Sequence, residues 1–137
     1  MNVSRHPDVL VLDDEPPFRG LLKLRFALLD WRCEVVATPE EALARLKKRH
    51  FDLIVADHYL CNCNGLAFIC RLRQYGYSTP VILMSWDPNI LALAPNVILN
   101  IPAVLIRPFG DSQLEKALSL ISVPQGAVRH ADGTSFI

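Results

Sequence analysis

The sequence predicts an α/β protein built on one doubly wound, five-stranded parallel sheet with helices on both faces. Short apolar runs alternate five times with longer amphipathic segments. The apolar runs lack polar alternation, which is typical of strands buried on both faces. Strands that alternate with helices run parallel and are joined by right-handed crossovers. With 137 residues the chain is long enough for one domain with its own core.

The first helix is expected to open at Pro16 and Pro17, because proline is tolerated in a first turn. Its inner face is predicted from the helical spacing of apolar residues. These are Phe18, Leu21, Leu22, Phe26 and Leu29. The strands are expected at 8–13, 33–37, 51–56, 80–85 and 103–107.

Local signals mark the other helix starts. Thr38 with Pro39 and Glu41 forms a capping box, and Ser112 is expected to cap the last helix. A further helix follows Gly65. The fourth helical element is the weakest: Asp87 before proline favours a start, but a proline at 95 interrupts it. We expect a short or broken helix near 89–94 and irregular backbone to residue 102.

Composition excludes several classes of protein. Hydrophobic residues make up 51% and charged residues 20%, which excludes a disordered chain. Fourteen basic and fourteen acidic residues argue against broad binding to nucleic acid or membrane. The sequence shows neither a spanning apolar run nor a signal-peptide core, so we expect a cytoplasmic protein. We expect an N-terminal extension over 1–7, the domain over 8–122, and a tail or linker start over 123–137.

Polar residues follow the predicted strands at one edge of the sheet: Asp13, Asp14, Asp57, Ser85 and Arg107. Ligands of doubly wound sheets bind at this edge. Each residue alone is equally explained as a turn or surface group. Together, three carboxylates favour a cation such as Mg²⁺, while the hydroxyl and the guanidinium suit a phosphoryl group. Asp57 is best placed as a nucleophile that becomes an acyl phosphate, and Asp13 and Asp14 as the metal-holding pair.

These residues lie in motifs that resemble the receiver domain of two-component response regulators, over about residues 8–122. The motifs that carry the resemblance are VLVLDDE at 9–15, FDLIVAD at 51–57 with Gly65 eight residues beyond, VILMS at 81–85, and RPF at 107–109.

The resemblance implies a flavodoxin-like fold with strand order 2-1-3-4-5. Asp57 would accept phosphate from a histidine kinase or a histidine phosphotransfer protein. Asp14, Asp57 and the backbone carbonyl of Tyr59 would bind Mg²⁺, with Asp13 helping through water. Ser85 would swing toward the phosphate and remodel the face formed by helix four, strand five and helix five. A downstream effector, a fused output domain or a second copy would read that face, and the domain would be a signalling component rather than an enzyme.

The chain departs from the family pattern at several positions. Arg107 stands where the family has lysine, and a guanidinium is not equivalent to an ammonium at a tight phosphate site. Trp86 stands where a small residue is usual, either as a lid over the acidic pocket or as an outward partner contact. Val104 replaces the switch aromatic, so the usual serine–aromatic coupling is expected to be missing or rerouted. Cys61 replaces a loop proline, which leaves this loop less constrained.

These departures motivate one alternative, a degenerate receiver that binds a partner independently of phosphorylation. A phosphatase with an aspartate nucleophile is a second alternative. It is disfavoured because Asp13 and Asp14 are adjacent rather than separated by one residue, and because 137 residues leave no room for a cap domain.

The four cysteines are expected to be free thiols. Cys33 and Cys70 are predicted to be small packing residues. Cys61 and Cys63, with His58 nearby, leave open a soft-metal site or a redox role. The spacing of the two cysteines is not that of a zinc ribbon.

Overall fold

A computed structural model describes residues 6–60 and 63–121 and contains one five-stranded sheet. All strand pairs are parallel, and the order β2-β1-β3-β4-β5 confirms the predicted topology. The strands are β1 Asp8–Leu12, β2 Arg32–Val36, β3 Leu53–Asp57, β4 Val81–Ser85 and β5 Ala103–Ile106. The α-helices are α1 Pro16–Leu28, α2 Pro39–Lys48, α3 Gly65–Gln74 and α4 Asp111–Leu118.

The fourth helical element is a six-residue 3-10 helix, Pro88–Leu93, so the last helix of the domain is α4. Asp87 caps it by accepting the backbone N–H of Asn89 at 3.0 Å. Beyond Leu93 the chain forms a turn closed by an isolated bridge between Asn96 and Ile101. This confirms the predicted short helix and irregular backbone.

The sheet has a hydrophobic core on each face. Leu10 and Leu12 of β1 belong to the core that α2 and α3 cover, whereas Val9 and Val11 belong to the core under α1 and α4. Alternate side chains of a strand point to opposite faces, and helices cover both faces of the sheet. All four residues of this inner strand are therefore fully buried. From Val9 to Leu12 the strand is apolar because neither of its faces is exposed to solvent.

Three local predictions are corrected. The last helix begins at Asp111 with Gly110 as its N-cap, so Ser112 lies inside the first turn and is not the cap. Gln113, three residues after Gly110, accepts its N–H at 2.9 Å. Leu21 is 45% exposed because only part of the apolar stripe of α1 reaches the sheet, and Cys70 is exposed on α3. The Thr38 cap is confirmed, since its hydroxyl accepts the N–H of Glu41 at 3.2 Å.

No helix within residues 6–60 and 63–121 has the length and apolar character that a membrane span needs. The predicted tail over 123–137 lies outside the described residues, as does most of the predicted extension over 1–7.

Candidate functional site

Three carboxylates meet where β1 and β3 end. Asp13 directly follows β1, Asp57 is the last residue of β3, and Leu12 pairs with Ala56 across the two strands. One carboxylate oxygen from each of Asp13, Asp14 and Asp57 lies within 4.8 Å of the others. The structure therefore brings together the acidic residues that the sequence places at the strand ends.

The Asp57 carboxyl has a pKa raised to about 6, mainly because burial penalises its charged form. The N–H of Tyr59, which donates to Oδ1 of Asp57 at 3.2 Å, and the charge of Arg107 lower this pKa. The negative charges of Asp13 and Glu15 raise it. At neutral pH Asp57 is thus ionised but poorly compensated.

Asp13 is paired with Arg107, which directly follows β5. Nη2 of Arg107 donates to Oδ2 of Asp13 at 2.8 Å, and both side chains are buried. The other oxygen of Asp13 accepts the N–H of Glu15 at 2.9 Å. The guanidinium lies over the ring of Phe18, with Cζ 4.6 Å from the ring centroid. Among the described residues its buried Nε has no hydrogen-bond partner.

Ser85 ends β4 and is completely buried. Its hydroxyl oxygen accepts the N–H of Asp87 at 2.9 Å, so the hydroxyl is engaged by its own loop. The Tyr59 hydroxyl donates to Asp87 at 3.1 Å and links the loop after β3 to the loop after β4. The carbonyl of Ser85 accepts the N–H of Arg107 at 2.7 Å, which ties the end of β4 to the segment after β5.

Trp86 is half exposed and packs its ring against Phe18, with centroids 5.7 Å apart and an interplanar angle of 64°. Its contact is therefore with α1. Val104 is partly buried on β5 and lines an apolar groove of about 430 Å³ together with Leu91, Pro95 and Pro102. That groove runs along the face that the resemblance assigns to partners.

Phe18 is the residue that sequence reasoning missed. It was expected only as part of the inner face of α1. One feature of the sequence could have indicated its role. Phe18 lies in the first turn of a helix that starts at the same edge of the sheet as Asp13 and Asp14.

Gly65 fits tightly beneath the acidic cluster. A Cβ atom there would lie 2.7 Å from Cδ2 of Leu83 and 2.9 Å from the backbone oxygen of Asp57. The N–H of Gly65 donates to the carbonyl of His58 at 2.7 Å, which fixes the backbone next to Asp57. The start of α3 can approach β3 this closely because the residue there has no side chain.

The cysteines give no support to a redox site within the described residues. Burial raises the pKa of the Cys63 thiol and raises that of Cys33 to about 12, the opposite of thiol activation. Burial also lowers the pKa of His58. Cys61 lies outside the described residues, so the structure does not test the soft-metal hypothesis.

The chain matches the family model described as the response regulator receiver domain over residues 9–119. It is 31% identical over 103 residues to the Regulator of RpoS of Escherichia coli K12. The matched region covers 75% of this chain and 31% of that protein. It is 30% identical over 117 residues to the two-component response regulator PhoP of Pseudomonas aeruginosa. That match covers 82% of this chain and 50% of PhoP. The chain thus spans between about a third and a half of these relatives.

The fold is similar to solved receiver structures. One is the response regulator protein TrrA from Thermotoga maritima, solved in complex with Mg(2+)-BeF. The TM-score is 0.71 at 23% identity, over 84% of this chain and 99% of that one.

Proposed function

Because the chain belongs to the response regulator receiver domain family of two-component signalling, we propose that Asp57 accepts a phosphoryl group and thereby switches a protein-binding surface. The observation that carries the proposal is the cluster of Asp13, Asp14 and Asp57, whose oxygens lie within 4.8 Å of one another. Arg107 and Ser85 flank the cluster and supply a cation and a hydroxyl.

The donor set fits Mg²⁺, which prefers carboxylate and carbonyl oxygens and binds few protein ligands. Asp14 and Asp57, the backbone carbonyl of Tyr59 and, through water, Asp13 would hold it. Bound there, the ion would supply positive charge to the oxygens of the incoming phosphoryl group.

Asp57 provides the nucleophile. One carboxylate oxygen forms a bond to phosphorus, and the bond between phosphorus and the donor breaks. The electron pair leaves with the donor atom, an imidazole nitrogen in phosphohistidine, which then takes up a proton. With a pKa of about 6, Asp57 is in the required ionised form at neutral pH. Arg107 stabilises charge on the transferred group, and Ser85 donates to it once its hydroxyl turns from the Asp87 N–H.

The partners we propose are a histidine kinase or a histidine phosphotransfer protein as donor, and an effector or a fused output domain as reader. The reading surface is the face formed by the 3-10 helix, β5 and α4, which also suits a second copy of the domain. On this proposal the domain turns over no substrate of its own and is a signalling component.

The proposal is tested by incubating the protein with phosphoramidate, a small phosphodonor, with and without Mg²⁺. Intact mass should rise by one phosphate in the presence of Mg²⁺, and Asp57→Asn should abolish the increase. Asp111→Asn is the matched control, because this exposed carboxylate at the start of α4 pairs with Arg25 and is not one of the three clustered carboxylates.

Two results would contradict the proposal. A wild-type protein that stays unlabelled, while a control receiver is labelled, would favour the phosphorylation-independent binding module. Steady hydrolysis of a chromogenic phosphate ester, lost in Asp13→Asn, would instead favour a phosphatase.

A further inference from the structure

We propose that Phe18 is a positioning residue that orients the guanidinium of Arg107 toward the phosphoryl site through a cation–π contact. The inference rests on the proposed function and deepens it, because it concerns how this chain uses arginine at that site. The ring of Phe18 packs against Arg107 and Trp86, so its effect would pass through Arg107.

The contact joins three elements at the edge of the sheet. Phe18 lies in the first turn of α1, Arg107 follows β5, and Trp86 follows β4. Cζ of Arg107 is 4.6 Å from the Phe18 ring centroid, within the range of an attractive cation–π interaction. The rings of Trp86 and Phe18 meet in an edge-on arrangement with centroids 5.7 Å apart, and this contact restricts the movement of Phe18.

The hydrogen bonding of Arg107 leaves its orientation incompletely determined. Nη2 donates to Asp13 at 2.8 Å, and the same nitrogen lies 3.5 Å from Sδ of Met84. Nε is buried with no partner in the part of the chain that the structure describes. One salt bridge through a single nitrogen fixes the end of the guanidinium but not its plane. The ring face of Phe18 supplies the second constraint.

The side chain at position 107 explains why the ring matters. A planar guanidinium stacks on an aromatic face, whereas an ammonium is a compact charge on a rotatable stem. Orientation therefore determines which N–H groups of an arginine face the phosphoryl oxygens. The aromatic residue at position 18 is matched to arginine at position 107, and a lysine would depend on it much less.

A double-mutant cycle tests this dependence. The rate constant for phosphorylation by phosphoramidate is measured at saturating Mg²⁺ in the full chain. Phe18→Leu should lower it about fivefold, the loss expected for one partly buried cation–π contact. Phe18→Tyr, which keeps the ring, should stay within about twofold of wild type. In an Arg107→Lys background, Phe18→Leu should change the rate by less than about twofold.

Leu21→Ala is the matched control. Leu21 lines the same small cavity as Phe18 and Trp86, so it reports the effect of loosening that wall while leaving the stack intact. Its phosphorylation rate should equal that of wild type. Thermal melts of each variant show whether it is folded at the assay temperature.

A second readout is independent of activity. The Nε–H proton of Arg107, assigned by its loss in Arg107→Lys, should show an upfield ring-current shift in the NMR spectrum. Phe18→Leu should remove that shift, and Leu21→Ala should leave it in place.

The outcomes separate the two proposals. A wild type that takes no label overturns the proposed function and, with it, any role of Phe18 in phosphoryl transfer. A labelled wild type overturns the inference alone if Phe18→Leu is as fast as wild type, if it slows both backgrounds equally, or if the Arg107 signal does not move.

Discussion

The two ends of the sheet bury carboxylates in opposite ways. At the amino end, Asp8 of β1 receives Nε of Arg32 and Nη2 of Arg49, both at 3.0 Å. Its backbone N–H donates to the carboxylate of Asp52 at 2.8 Å. At the carboxyl end, three carboxylates converge and Arg107 pairs directly with Asp13.

This difference separates a carboxylate that is paired with arginines from carboxylates that lie close to one another. Asp8 and Asp57 are both almost fully buried, but Asp8 is paired with two arginines, whereas burial raises the pKa of Asp57 to about 6. Arginines of the chain itself neutralise Asp8 at the amino end, whereas on the proposed function the carboxyl end takes its cation and its phosphoryl group from outside. Four experiments test this contrast.

Asp8→Asn should lower the free energy of unfolding by about 3 kcal/mol, because it removes the buried anion that two arginines share. Urea denaturation monitored by circular dichroism measures this loss. Glu115→Gln, an exposed change on α4, is the control and should shift the midpoint very little. A variant as stable as wild type would show that the network at the amino end contributes nothing to folding.

Mg²⁺ should stabilise the wild-type protein by about 2.7 kcal/mol at a hundredfold excess over its dissociation constant. Binding to the folded state alone produces this gain, which appears as a rise in melting temperature. Asp14→Asn should strongly reduce the response, and Asp8→Asn should keep it. An equal response in Asp14→Asn would locate the ion elsewhere.

Gly65→Ala should cost about 2 kcal/mol of stability, because the new methyl group would overlap the side chain of Leu83 and the backbone of Asp57. Mg²⁺ affinity should fall as well, since β3 and the loop that carries Tyr59 would have to move. Gly20→Ala is the control, because nothing lies within 4 Å of a Cβ added there. If both variants melt alike, the close approach at Gly65 is not required.

Asp57→Asn should raise the stability of the Mg²⁺-free protein at neutral pH. The carboxyl has a pKa of about 6 when folded and 3.8 as its ordinary value, so the folded state binds more protons between these values. The stability contributed by Asp57 therefore falls as pH rises from about 4 to about 6. Melts in EDTA should show no advantage of the variant below pH 4 and a full advantage above pH 6. An advantage that does not vary with pH would assign the effect to something other than charge.

The sequence was sufficient for the topology and for most of the site. Strand ends can be located from apolar runs, and parallel strands bring their carboxyl ends together, so the clustering of Asp13, Asp14 and Asp57 was predictable. The interruption of the fourth helix followed from Pro95.

Contacts between side chains of distant elements were not predictable. The stack of Phe18 on Arg107 and the hydrogen bond from the Tyr59 hydroxyl to Asp87 depend on rotamers and loop paths that no residue spacing encodes. The start of α4 was mispredicted because Ser112 and Gly110 offer competing caps. In the structure Gly110 is the N-cap, and its N–H donates to the side chain of Gln113.

The 3-10 helix Pro88–Leu93 has a consequence for the dynamics of the domain. It buries one side chain, Ile90, and 3-10 hydrogen bonds are weaker than those of an α-helix. Opening such a segment requires little free energy compared with opening β4, so its amide protons should exchange with deuterium first. This weakly held segment begins three residues after Ser85, where a small rearrangement at the acidic edge can be transmitted without unfolding an α-helix.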